Sequence, residues 1–361
     1  MKSTKSLTDA INRLHANRQA KAAERLEGQS DLFDAPSDTP LSPGELATIE
    51  PPAAEKAPKG QKGERGKRNS LMPLRHANRD FFLCDMFDYA LKDDGASMEA
   101  PIFSLTTKKD LSTWSWKSKD GERSVEVYPS VRGRATQHDK DILIYVISQL
   151  TEALNQGRPD AMNRTARFIV YDYLATTNKT IGGFEYTRLH EGLERLAGTR
   201  ITTDIRTGGK RMREGFGIID RWKIVEKSPD DERMIAIEVT LSEWLFNAVQ
   251  AHEVLTINRD YFRLRKPLAR RLYELARKHC GGQTMWSIGV DLLREKCGSK
   301  AELKEFRRAV KEIIEDDILP DYGMSFDQAK DQVLFYVKDT KKLIEGIACL
   351  LYTSPSPRDV E

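Results

Sequence analysis

A chain of 361 residues is long enough for about two domains, and an apolar fraction of 39% is enough for ordinary cores. With 58 lysines and arginines against 55 acidic residues the formal charge is only +3, which excludes a uniformly basic coat and confines any nucleic-acid surface to local patches. Four scattered cysteines, with no secretory or membrane-spanning apolar run, lead us to expect a soluble protein of a reducing cytoplasm without a membrane partner.

Proline, glycine, alanine and charge dominate from Asp34 to Asn69, a composition that cannot bury enough apolar area to fold, and the short amphipathic stretch of Leu7, Ile11 and Leu14 before it has nothing nearby to cover it, so residues 1–70 are expected to form a disordered tail. Within it, Gln29-Ser30-Asp31-Leu32-Phe33 resembles the peptide by which bacterial replication proteins dock on the sliding clamp, although Ser30 departs from that pattern. Leu32 and Phe33 would fill an apolar pocket while Gln29 fixes register, making these three the candidate clamp-binding residues. Five-residue matches also arise by chance.

Residues 71–251 read as a first domain. Alternation in Ser124-Val125-Glu126-Val127-Tyr128 and turn signals at Asp93-Asp94-Gly95 and Asp120-Gly121 predict an N-terminal hairpin packed on it. Helical periodicity follows over His138 to Leu154 and Arg164 to Leu174, then a helix from Phe184 to Ala197 that Gly198 stops. Thr199 to Thr207, a turn at Gly208-Gly209, and a return strand from Phe216 to Val225 predict a hairpin, so three helices and a hairpin give a winged helix-turn-helix. A strand at Met234 to Thr240 and a helix from Ser242 to Ala251 then connect to a second domain.

That second domain, residues 252–340, repeats the plan. Pro267 suits a first helical turn, a short helix runs from Val290 to Lys296, and Ser299 with Glu302 has capping-box spacing ahead of the next helix. Gly289 makes a poor start for that short helix, and Tyr322 to Asp327 with Val333 to Val337 completes a second wing. The expected fold is therefore α+β, with two tandem winged helix-turn-helix domains after the tail.

The helices before the two hairpins carry matching stripes: Tyr186, Leu189, Leu193 and Leu196 in one, Leu303, Phe306, Val310 and Ile313 in the other. With these facing a core, the remaining faces present Arg188 and Arg195 in the first copy and Lys300, Lys304, Arg307, Arg308 and Lys311 in the second. Arg200, Lys210, Arg211 and Arg213 make the first hairpin basic, and Arg265, Lys266, Arg270 and Arg271 do the same for the helix opening the second domain. All fifteen are candidate DNA-binding residues, arginines suiting bases and lysines suiting phosphates. Charges on solvated helix faces are also common without any ligand, and Arg308 could pair with Glu305 or Glu312. Arg307 has no acid three or four residues away along the helix, which leaves it freer for DNA.

Enzymatic alternatives lack their residues. Gly208-Gly209-Lys210 has no P-loop spacing, the six histidines include no pair separated by one residue as a rolling-circle nickase needs, and the cysteines lack zinc spacing. No catalytic group, cofactor or metal is expected.

Tyr261-Phe262-Arg263-Leu264-Arg265-Lys266-Pro267-Leu268-Ala269-Arg270-Arg271-Leu272-Tyr273-Glu274-Leu275, Trp286-Ser287-Ile288 and Phe306-Arg307-Arg308-Ala309-Val310 resemble the second winged helix of plasmid replication initiators. Upstream, Lys92 to Glu99, Phe103-Ser104-Leu105, His138 to Tyr145 and Gly198-Thr199-Arg200-Ile201 resemble the replication initiator protein A family in particular, the likeness running from about Phe81 to Asp339. The resemblance implies an initiator that binds repeated origin sites, helps open adjacent duplex and recruits host replication machinery, with self-repression as a homodimer in similar families. A winged-helix transcriptional repressor without origin function is the alternative. Residues 341–361 form a tail whose end, Cys349 to Asp359, looks like translated library adapter or a Pro- and Ser-rich disordered end.

Overall fold

The computed structural model describes residues 71–75, 90–118, 124–204, 214–228, 231–341 and 343, all within the unit Glu64–Glu361. The expected disorder of 1–70, the clamp peptide Gln29, Leu32 and Phe33, the Gly208-Gly209 turn with Lys210, Arg211 and Arg213, and the adapter-like end lie outside the described residues. Among the described residues no helix is long and apolar enough to cross a membrane.

In chain order, β1 (Lys92–Asp94) and the short α1 (Gly95–Glu99) precede β2 (Trp114–Lys117) and β3 (Ser124–Tyr128). Then come α2 (Lys140–Asn155), β4 (Thr165–Ile169), α3 (Val170–Thr176), α4 (Gly183–Gly198), β5 (Arg200–Thr203) and β6 (Glu214–Gly217). The long strands β7 (Ile219–Ser228) and β8 (Asp231–Leu241) lead through α5 (Glu243–Gln250) and β9 (Val254–Thr256) into the second half. That half comprises α6 (Pro267–His279), β10 (Met285–Gly289), α7 (Val290–Cys297), α8 (Leu303–Asp316), β11 (Tyr322–Asp327) and β12 (Gln332–Val337).

Both halves therefore contain the order helix, strand, helix, helix, strand, strand, and each forms a three-stranded antiparallel sheet with its last strand in the middle: β4-β8-β7 and β10-β12-β11. The mixed α+β class expected from the sequence is what the chain forms. Each half has its own apolar core, one around Leu143, Val146, Phe168, Leu193 and Ile237, the other around Leu272, Leu293, Phe306, Val310 and Phe335. The matched stripes of α4 and α8 supply those cores: Leu189, Leu193 and Leu196 in one and Phe306, Val310 and Ile313 in the other are buried, with Tyr186 and Leu303 packed at the margins.

Four local readings are corrected. Arg164 to Leu174 is not one helix, because Ala166 and Phe168 alternate inward and pair with Val239 and Ile237 of β8 before α3 begins at Val170. The expected return strand from Phe216 to Val225 divides at Ile218, whose side chain is buried: β6 stays with β5, while β7 leaves to pair with β8. Gly198 is the last residue of α4 as expected, and the position also needs glycine, since a Cβ there would lie 2.5 Å from the Ser130 Cβ. Ser299 makes no capping box; α8 starts after Glu302, and the Ser299 hydroxyl accepts instead from the Ala301 N–H at 3.3 Å. Gly289 serves well at the start of α7, because the Val290 N–H is satisfied by the Asp331 carbonyl at 3.0 Å. Gly298 closes that helix in the left-handed conformation, φ +69°, which favours glycine.

The early hairpin packs on the first half as expected, β2 and β3 joining β5 and β6 in a separate four-stranded sheet, β2-β3-β5-β6. Chain order misleads for residues 91–99. Leu91 and Met98 sit in the second core and β1 pairs with β9, while the Lys92 N–H donates to Ser148 of α2 at 2.8 Å, so this segment bridges the two halves rather than belonging to the first alone.

Candidate nucleic-acid interface

The apolar stripe of α8 faces its core, so the helix has one face left, and that face carries four cations interleaved with Glu305, Glu312 and Glu315. Lys304, Arg307, Arg308 and Lys311, with Glu312 and Glu315, line a shallow concavity of about 370 Å³. Two of these cations are tied to the β11–β12 hairpin. Arg307 makes a bidentate pair with Asp331, Nε–Oδ1 2.9 Å and Nη2–Oδ2 2.8 Å, which holds that exposed carboxyl below its usual range. Lys311 Nζ lies 4.4 Å above the Phe326 ring centre. Arg308, with 68% of its side chain exposed, pairs along the helix with Glu305 at 2.8 Å and Glu312 at 3.4 Å. Lys304 is exposed and has no ion-pair partner among the described residues.

A larger cleft of about 670 Å³ lies between the halves. Arg188 and Arg195 of α4 line one side and Arg265 the other, with Arg75, Lys108, Lys109, Arg132 and Lys179 around them and Asp139, Glu185 and Glu191 as the acidic minority. Local charge here is strongly positive although the chain is nearly neutral. Two contacts tether α8 to the rim. Lys300, just before the helix, bonds Asp110 at 2.8 and 3.0 Å beside cleft-lining Lys109, and Lys266, next to Arg265, reaches Glu312 at 3.4 Å and Asp316 at 3.9 Å. Burial would raise the Asp110 carboxyl, but hydrogen bonds from Lys300, Ser112 and Ser104 hold it well below the usual carboxylate range. Helix α4 thus lines the basic cleft, while α8 lines a concavity of its own and is tied to the cleft rim through Lys266.

Arg270 and Arg271 are corrections: both are 2% exposed and face inward from α6. Arg270 pairs with Asp141 of α2, donates through Nε to the Leu264 carbonyl at 2.9 Å and stacks on Tyr261 at 5.1 Å. Arg271 pairs with Glu274 at 3.2 Å and donates to the carbonyls of Ser97, Glu99 and Lys296 at 2.9, 3.1 and 2.8 Å. Glu274 also accepts from the Tyr261 hydroxyl at 2.7 Å and from Gln137, and meets Lys140, whose ammonium lies 2.6 Å from Asp93. Lys179 adds a 2.7 Å contact to Asp141. Against the upward push of burial, Arg270 and Lys179 hold the Asp141 carboxyl below its ordinary value. Burial, reinforced by Arg270, pushes the adjoining His138 imidazole down to about 3. Arg270 therefore joins the two halves through Asp141, and Arg271 fastens α6 to α1 and α7, so both guanidiniums are committed to buried structural contacts.

The other candidates divide. Arg188 is exposed and pairs loosely with Glu185 at 3.1 Å, whereas Arg195 is largely covered by a bidentate bond to Asp139, both contacts 2.8 Å. Arg200 sits on the separate four-stranded sheet and donates to the Gly215 carbonyl at 2.9 Å. The expectation that Arg307 lacks a partner is overturned by Asp331, which a search along the helix could not reach. Lys108, Lys109, Arg132 and Lys179 were missed because they come from loops that chain order does not bring together. The Lys108-Lys109 doublet was the one available signal.

The family model for Replication initiator protein A matches residues 92–324. A protein of Wigglesworthia glossinidia brevipalpis described as "Putative replication protein" is 36% identical over 259 residues, 71% of this chain and 93% of that protein. The crystal structure of domains 2 and 3 of RctB, as selenomethionine derivatives, superimposes with a TM-score of 0.50 at 13% identity, covering 68% of this chain and 98% of that one, a likeness of fold. The Pi initiator protein in complex with iteron DNA aligns with a TM-score of 0.37 at 15% identity, covering 60% of this chain and 98% of that one, too distant to carry an argument.

Proposed function

This chain belongs to the replication initiator protein A family, and on that premise we propose that it binds repeated sites in a plasmid origin through two winged helix-turn-helix readers. The helix-strand-helix-helix-strand-strand order of each half, with its last strand central, supports this assignment, α4 and α8 being the reader helices and β7–β8 and β11–β12 the wings. The observation that carries the reading is that each of these helices presents outward-facing cations to a concave surface, α4 to the basic cleft and α8 to its own concavity. Readers on one face suit a duplex, whose successive major grooves recur about every 34 Å.

In this reading α8 enters a major groove with Lys304, Arg307, Arg308 and Lys311, and Asp331 aims the Arg307 guanidinium at a base edge. Arg188 serves the neighbouring groove, while Arg265, Lys266, Lys300, Lys108 and Lys109 neutralise phosphates along the rim. Arg195 and Arg200 act at the margins, with Lys210, Arg211 and Arg213 of the hairpin completing the phosphate track. The bound chain opens adjacent duplex and recruits host replication machinery, with Gln29, Leu32 and Phe33 docking on the sliding clamp. A homodimer form and a cytoplasmic location complete the proposal, which involves no catalytic step.

Footprinting on the plasmid that carries the gene, with a salt titration alongside, tests it. Tandem protected repeats whose occupancy falls steeply with salt are expected, and the origin should sustain replication of a plasmid lacking its own initiator when this chain is supplied. A lone inverted site at a promoter, without origin activity, would favour the repressor.

A further inference from the structure

Phe184 occupies the first turn of α4 with 69% of its surface exposed, and Ile181, three residues earlier, is 48% exposed. Between them, Gly182 and Gly183 would each meet nothing within 4 Å if given a Cβ, so the helix entrance is open to a bulky partner. The aromatic ring is not loose. The Arg188 guanidinium carbon lies 4.2 Å from its centre, and Glu185 in turn holds Arg188 at 3.1 Å. Such stacking restricts a surface aromatic that makes no core contact.

The first two turns of α8 carry Lys304, Arg307 and Arg308 and no exposed large apolar group. The two reader helices are therefore chemically unlike where reader helices meet base edges. Phe184 adjoins a cleft whose walls bring Arg188, Lys179, Lys108 and Lys109 together, a charge pattern complementary to phosphate. In a major groove the apolar group available to such a ring is the thymine 5-methyl, which distinguishes A·T from T·A and from both G·C orientations.

We propose that Phe184 reads a thymine methyl in the groove entered by α4, giving the first half an apolar selectivity that the cationic second half does not have. This rests on the origin-binding reading above. The Arg188 side chain orients the ring, and Ile181 shields the contact from water. Burying one methyl group contributes about 0.8 kcal/mol, equivalent to about fourfold in affinity.

The test compares the full chain with Phe184→Ala and Phe184→Leu on a footprinted origin duplex and on the same duplex with deoxyuridine replacing each protected thymine in turn. Wild type should lose about fourfold at one thymine position, Phe184→Ala should be insensitive to that replacement, and Phe184→Leu should retain most of the discrimination. The salt slope and the melting temperature should match wild type, because the replaced side chain is uncharged and exposed. Equal losses for wild type and Phe184→Ala at every thymine would overturn the assignment, as would a Phe184→Ala protein that binds both duplexes like wild type, an outcome consistent with a protein partner at this tip. Failure of the wild-type chain to bind any origin duplex would sink the origin-binding reading along with this one.

Discussion

Two arginine doublets sit in the first or second turn of amphipathic helices, and the fold uses them in opposite ways. Arg270-Arg271 of α6 is buried between the halves and satisfied by Asp141, Glu274 and five backbone carbonyls, whereas Arg307-Arg308 of α8 lies on the cationic face and is held only by surface acids. The difference teaches that a cationic pair becomes structural when the chain can bring carboxylates and carbonyls to it in a water-poor place. Without them, the desolvation penalty keeps it outside.

The largest effect should come from breaking the buried doublet. Arg270→Ala leaves Asp141 buried beside a missing partner and should cost about 3–5 kcal/mol in denaturant unfolding. Replacing both members, Arg270→Met with Asp141→Leu, should recover much of that loss, whereas equal destabilisation by the single and double variants would show that the pair is not the source. Arg308→Ala, on an exposed face, should change stability by less than about 0.5 kcal/mol.

Acid should weaken the same junction. The His138 imidazole is held down to about 3 in the fold, while an unfolded histidine titrates near 6.5. Its contribution is complete above about pH 6.5 and is lost as the pH falls toward 3, because the unfolded chain then takes up a proton that the folded one refuses. Asp141, also depressed, pushes in the same direction at still lower pH. Thermal midpoints should fall across that window and fall less for His138→Gln. An unchanged slope for that variant would contradict the assignment.

The exposed doublet should affect binding instead. Arg307→Ala should cost about 1–3 kcal/mol on the origin duplex and relax preference at one base pair, and a loss uniform across sequences would make it a phosphate contact. Asp331→Ala, which frees the guanidinium without removing it, should produce a smaller loss of the same selectivity. The smallest effect belongs to Lys304→Ala, which should lower the slope of log affinity against log salt by about one unit.

Local patterns made much of the second half legible. The stripe of α8, Pro267 at the start of α6 and the β11–β12 hairpin all follow from spacing or from one helix-starting residue. What could not be read depended on distant chain. The Arg270 partner Asp141 is 129 residues away, the Arg271 acceptor Ser97 is 174 away, and β1 pairs with β9 across most of the first half of the chain. Strand β4 was hidden for another reason: five alternating residues running straight into a helix share their apolar positions with a helical pattern. The candidate interface was half legible, since helix periodicity exposed the α8 cations while nothing local gathers Lys108, Lys109, Arg132 and Lys179 around a cleft.

Hydroxyl-radical footprinting of the origin duplex with wild type and with a Lys304→Ala, Arg308→Ala double variant tests most directly whether both reader helices engage one double helix. Two protected stretches on one face, about one turn apart, should appear with wild type, and the variant should lose one of them while the other persists. A single protected stretch, or two that the variant leaves unchanged, would contradict the account.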